Sequence, residues 1–141
     1  MKALYIIWAT AISTNFVLAH AQVGEAGDII CYSGAFREVL GSRLNPLIHC
    51  AIDGGDGNVY EFTGGANVEG PARIGRNSKE DFVRRATEAS SEVFIYTEDR
   101  DPLDTDEVLA RALDAFDNQN FGSYHPLTNN CQHFATYCKY G

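Results

Sequence analysis

A cysteine set at the start of a helix constrains this chain more than any other feature. The C-terminal run Leu127-Thr128-Asn129-Asn130-Cys131-Gln132-His133-Phe134-Ala135-Thr136-Tyr137-Cys138-Lys139-Tyr140-Gly141 reads as a turn, a cap, a helix and a stop. Pro126, Thr128, Asn129 and Asn130 are turn and N-cap residues. Cys131, Phe134, Ala135 and Cys138 recur at helical spacing and share one face. Lys139 suits the last turn and Gly141 the stop. Unpaired N–H groups and the helix dipole favour an anion at the first residue, so a thiol at Cys131 is drawn toward thiolate. A thiolate that meets a histidine from elsewhere in the fold is a nucleophilic catalyst.

Of the four histidines, His20 lies in the N-terminal leader. His133 is two residues from Cys131, so their side chains diverge by about 200° on a helix and cannot pair. Its expected role is hydrogen bonding near the helix start. His125 falls in the loop before the helix and reads as a surface residue. His49 stands in the apolar run Leu47-Ile48-His49-Cys50-Ala51-Ile52, where a histidine serves either as a core residue or as a base. The turn Asp53-Gly54-Gly55-Asp56-Gly57 follows, and the chain returns through Asn58-Val59-Tyr60-Glu61-Phe62. Asp-Gly between apolar runs is a strong hairpin signal. Residues 49 and 61 are both odd-numbered, and Glu61 falls near the position opposite His49, subject to register. Glu61 is then either a solvent-exposed strand residue or the carboxylate that orients an imidazole, as in a triad.

The remaining chain supplies an α+β frame. Residues 27–32 read as a first strand, 72–75 as a short fourth strand and 92–97 as a fifth. Residues 33–46 read as irregular or as a short helix around 35–40, and 63–70 as a Gly-rich loop without a phosphate-cradling motif. Ser78 caps a helix to about Ala89, with Asp81 in the third position. Asp104 or Thr105 caps another whose apolar face is Val108, Leu109, Ala112, Leu113 and Phe116. The pattern is an antiparallel meander with helices segregated to its flanks.

The first 21 residues read as a secretory signal: Lys2, a mostly apolar stretch to Leu18, and the small-x-small site Ala19-His20-Ala21. The alternative is an uncleaved anchor, which the polar Thr10, Ser13, Thr14 and Asn15 disfavour. The expected organisation is a leader, residues 1–21, and one domain, residues 22–141, secreted and without a membrane span. A net charge of −8, from 11 Lys+Arg and 19 Asp+Glu, argues against nucleic acid and anionic membrane as partners. All four cysteines, Cys31, Cys50, Cys131 and Cys138, fall in the domain, with no zinc-ligand spacing. A catalytic Cys131 must be free, so at most one disulfide can form and one further thiol is left over.

Gly27-Asp28-Ile29-Ile30, then His49-Cys50-Ala51-Ile52 with Gly55-Asp56-Gly57, then Asn130-Cys131-Gln132-His133-Phe134 and Tyr140-Gly141 resemble, in that order, the lecithin:retinol acyltransferase (LRAT) family. That family includes small phospholipase A and acyltransferase proteins. The resemblance covers residues 26–141, with the Asn-Cys-x-His-Phe piece its specific part. It implies a circularly permuted papain-like (NlpC-type) fold, with Cys131 as the acyl-accepting nucleophile and His49 as general base. The family's third polar residue is usually a second histidine twelve positions after the first; Glu61 stands there in this chain. Gln132 replaces a usual Glu, and Cys50 a usual aromatic. Membrane-acting members carry a hydrophobic C-terminal anchor; this chain departs from that pattern by stopping at Gly141, and with the leader the expectation is an anchorless, exported form. The implied reaction is acyl transfer from a lipid or other acyl ester through a thioester, without metal or organic cofactor. Two alternatives use the same scaffold: an NlpC-like amide hydrolase, or a non-catalytic secreted binding protein with its cysteines paired.

Overall fold

β-Branched and apolar residues at alternating positions build a sheet buried on both faces. The computed structural model describes residues 23–34, 48–64 and 72–141. Its elements run β1 (Ile29–Ser33), β2 (Ile48–Asp53), β3 (Asn58–Thr63), β4 (Arg73–Ser78), α1 (Lys79–Glu88), β5 (Phe94–Tyr96), α2 (Thr105–Asn118) and α3 (Cys131–Tyr140). Among the described residues the strands form one antiparallel sheet of order β4-β3-β2-β1-β5. The meander therefore holds for the first four strands, while β5 crosses back to pair with β1 at the opposite edge. The leader, the segment expected to be irregular or helical, and most of the Gly-rich loop lie outside the described residues.

The period of two separates two cores. Ile29, Cys31, Cys50, Ile52, Tyr60, Phe62 and Ile74 point to one face, where α2 and α3 cover them with Val108, Ala112, Phe134, Ala135 and Cys138. Ile30, Tyr32, Ala51 and Val59 point to the other, where α1 contributes Phe82 and Ala86. His49, Asp53 and Glu61 share this second parity and are 3%, 1% and 1% exposed.

Local chemistry sets the element ends. Gly54 N–H donates to Asn58 O at 2.8 Å across the β2–β3 turn. Gly55 (φ +75°) and Gly57 (φ +82°) take left-handed conformations there, and a Cβ on Gly55 would lie 2.5 Å from that of Ala26. Asp53 Oδ1 accepts from Gly55 N–H at 2.9 Å and Oδ2 from Lys79 Nζ at 2.6 Å, which pins the start of α1 to the turn. Ser78 caps α1 by accepting from Asp81 N–H at 3.3 Å, as expected. On α2 the buried positions are Val108, Ala112 and Ala115; Leu113, expected on the apolar face, is exposed. Gln119, just past α2, accepts from Ile74 N–H (3.0 Å) and donates to Ile74 O (2.9 Å), so a side chain covers the outer edge of β4.

Cys31 and Cys50 face each other on β1 and β2 and form a disulfide; Cys131 and Cys138 are free and buried. One bridge and one leftover thiol is the arrangement a free Cys131 requires. The bridge spans a sequence separation of 19. Reducing it, or changing both residues to serine, is expected to lower stability by about 3 kcal/mol through loop entropy restored to the unfolded chain. Urea unfolding with and without a reductant measures this, and an unchanged midpoint would contradict it.

Candidate active site

The nucleophile's position follows from its cap. Asn130, extended at φ −124°, accepts from Gln132 N–H (3.0 Å) and His133 N–H (3.2 Å). His133 reaches back to the Asn130 backbone N–H at 3.3 Å and completes a capping box. His133 is thus structural, as its spacing indicates. The preceding turn is closed by His125: its backbone pairs with Asn129 and its exposed ring accepts from Leu127 N–H at 3.3 Å. Asn129 Nδ2 donates to Phe121 O (3.0 Å) and Ser123 O (2.9 Å). These bonds make Cys131 the first residue of α3, 2% exposed.

The sheet makes room for it. β2 and β3 pair only at Ile52↔Tyr60 and Asp53↔Val59, the turn end of the hairpin. Cys31 and Cys50 are 4.2 Å apart at Cα, the spacing of a non-hydrogen-bonded pair, so the Cys50 N–H and C=O point away from β1. That edge of β2 receives the start of α3. Cys131 Sγ lies 3.5 Å from Ile48 O, to which it donates when it is a thiol, and the Cys50 N–H lies against the same sulfur. Cys131 comes from the helical layer on one face of the sheet, whereas His49 projects toward α1 on the other. They meet in the opening of the hairpin.

His49 Nε2 and Glu61 Oε2 are 2.6 Å apart in a buried ion pair. Continuing the β2–β3 register puts Ala51 across from Glu61, so His49 is its diagonal neighbour rather than its direct opposite. Glu61 is buried, not a solvent-exposed strand residue. With Nε2 engaged, Nδ1 is the ring nitrogen left for the thiol, and a hydrogen bond joins His49 to Cys131. Tyr32 and Phe82 enclose the imidazole at centroid distances of 5.5 and 5.9 Å.

Burial acts against charge on all three groups, and their mutual contacts overcome it. Burial pulls the His49 pKa down, but hydrogen bonds and charge from Cys131 and Glu61 push it up to about 9. Burial raises that of Glu61, but His49 and Arg85 bring it down to about 2. Burial raises that of Cys131, but His49 and the Cys50 and Gln132 N–H groups lower it below the ordinary thiol value. The arrangement favours a thiolate beside an imidazolium near neutral pH. Cys138, buried without such partners, is pushed up to about 12 and is an inert core thiol.

Three contributors are not evident in the sequence pattern. Arg85 Nη2 and Asn77 Nδ2 donate to Glu61 Oε1 at 2.6 and 2.7 Å. Tyr124 packs on Phe62 at 5.2 Å, and its phenol hydrogen-bonds with Cys131; burial and the sulfur's charge raise it to about 12, so it remains a neutral donor. The helical spacing of Arg85 from Phe82 and Ala86 was the available hint, since it puts the guanidinium at the rim of α1's buried face.

A family model described as lecithin retinol acyltransferase matches residues 25–141. The chain belongs to the LRAT family. No individually curated protein matches it. The LRAT family is one of cysteine-dependent acyltransferases, so an acyltransferase- or phospholipase-type activity is the coarse reading of membership. Cys131, His49 and Glu61, the residues to which the resemblance points, come together in this one site. Cys50, where the LRAT pattern usually has an aromatic, is half of the bridge to β1. No helix among the described residues is long and apolar enough to cross a membrane.

Proposed function

We propose that the protein is a thiol-dependent acyltransferase or hydrolase of lipid acyl esters, exported from the cell, on a circularly permuted papain-like scaffold. One observation carries the reading: a free cysteine at a helix start shares a buried hydrogen-bonded line with His49 and Glu61. Chain order agrees with the permuted scaffold, because the strand bearing the base precedes the helix bearing the nucleophile.

The Cys131 thiolate attacks the ester carbonyl, forming a C–S bond. Backbone N–H groups around the sulfur, with the Tyr124 hydroxyl, act as donors to the oxyanion. As the tetrahedral intermediate collapses, the C–O bond breaks and the His49 imidazolium gives its proton to the departing alcohol. His49, now neutral, takes a proton from water, an alcohol or an amine as that group attacks the thioester. Acyl transfer to the acceptor restores the thiolate–imidazolium pair. Glu61 holds the ring in position and balances its charge throughout.

Incubation with a phosphatidylcholine, followed by mass spectrometry of the intact protein and its peptides, is expected to show one acyl chain on Cys131. The adduct should be discharged by hydroxylamine, as a thioester is. Release of peptide from peptidoglycan without any lipid adduct would replace this reading with amide hydrolysis.

A further inference from the structure

The hydrogen bonds of Glu61 divide by oxygen. Among the described residues Oε2 meets His49 alone, whereas Oε1 takes both Arg85 Nη2 and Asn77 Nδ2. A carboxylate anchored through one oxygen cannot rotate, so the other is left aimed at the imidazole. Asn77 is a neutral donor at the end of β4; Arg85 brings a full charge. Arg85 is itself held. Its Nε donates to Asp81 Oδ2 at 3.1 Å, one turn earlier on α1, and its guanidinium lies over the Phe82 ring at 5.5 Å. Burial disfavours the charged guanidinium, but the contact with Glu61 more than offsets this.

We propose that Arg85 is a positioning residue that sets the reactivity of Cys131 through Glu61 and His49. This builds on the acyl-transfer reading, because it gives the same site a fixed charge relay, Cys131–His49–Glu61–Arg85–Asp81, that ends at the surface of α1. Burying a carboxylate behind the histidine stabilises the imidazolium only if the carboxylate remains ionised and oriented. Arg85 contributes to both: after His49 itself, its charge helps to keep Glu61 anionic, and its hydrogen bond, with that of Asn77, fixes which oxygen faces the ring. Arg85 also hydrogen-bonds with the Tyr32 phenol, which packs on the same imidazole, but Tyr32 stays neutral because burial raises its pKa, so the charge of Arg85 reaches the thiol through Glu61.

The test needs no substrate. The rate of Cys131 alkylation by iodoacetamide, assigned by peptide mass spectrometry, reports thiolate formation as a function of pH. Arg85→Met is expected to slow alkylation at pH 7 about tenfold in the native background, as coupling through one ion pair of this kind does. Glu61→Gln should slow it at least as much. In the Glu61→Gln background Arg85→Met should cost nothing further, because the group it acts through is already neutral. Equal losses from Arg85→Met in both backgrounds would overturn the proposal, since a purely structural arginine weakens the site whatever stands at position 61. Arg85→Gln repeats the cycle if the methionine variant fails to fold, with thermal melts as the check. The outcome is separable from that of the acylation experiment: a protein that never accepts an acyl chain can still show the non-additive cycle, and one that does can show additive losses.

Discussion

Cys131→Ala is expected to abolish acyl-adduct formation and to reduce turnover of a reactive thioester or phospholipid substrate by about 10⁴-fold or more. In the proposed reaction the sulfur forms the bond to the acyl carbon, and no other thiol among the described residues stands in its place. Cys138 cannot substitute for it, because it is fully buried, with its thiol held protonated at about 12. His49→Ala should cost about 10²–10⁴-fold, because it removes the proposed base while leaving the thiol and its backbone donors. Its alkylation profile should also lose the low-pH thiolate, since His49 is the leading contributor among those that lower the Cys131 pKa. The melting temperature of Cys131→Ala should fall less than that of Glu61→Ala, because Glu61 remains to pair with both His49 and Arg85. Retained acylation in a folded Cys131→Ala protein would remove Cys131 from the reaction.

Glu61→Ala is expected to have the largest effect on stability, about 3–5 kcal/mol, because it leaves the buried His49 and part-buried Arg85 without their shared anion. The pH dependence identifies the cause. The folded-state pKa of Glu61 is depressed to about 2 from an ordinary 4.5, so its contribution is fully present above pH 4.5 and is lost as pH falls through about 2. The folded-state pKa of His49 is raised to about 9 from 6.5, so its contribution is fully present below pH 6.5 and is lost as pH rises through about 9. Both are complete only between about pH 4.5 and 6.5. Urea unfolding of native and variant protein should therefore differ most at pH 5.5 and much less at pH 2.5. Equal differences at the two pH values would mean that the cost is one of packing and not of charge.

Much of this protein could be read locally. The Asn130 cap, the Cys131 helix start and the structural role of His133 depend on residues within four positions of one another. The glycines around Asp56 made the hairpin legible for the same reason, since positive φ is a property of single residues. That Glu61 falls near the position opposite His49 was visible from the hairpin, but the face they share follows from the β2–β3 register. The exposure of Leu113 was not visible: an apolar period gives a face, but the breadth of the layer that covers it comes from distant residues. Nor was the return of β5 to β1, because strand order depends on which edge remains open after the first four strands have paired.

The sequence by itself determined the candidates: a thiol primed by its helix, a histidine in a strand and a carboxylate across the hairpin from it. Only the tertiary structure decided that they meet. The hairpin opens beyond Ile52, and a helix from one side of the sheet brings Cys131 to a histidine facing the other. Tertiary packing also joined Arg85 to Glu61, 24 residues apart in sequence, and paired Cys31 with Cys50. Each of these depends on chain segments brought together through space, and the pairing of charges across such distances leaves no period or spacing in the chain.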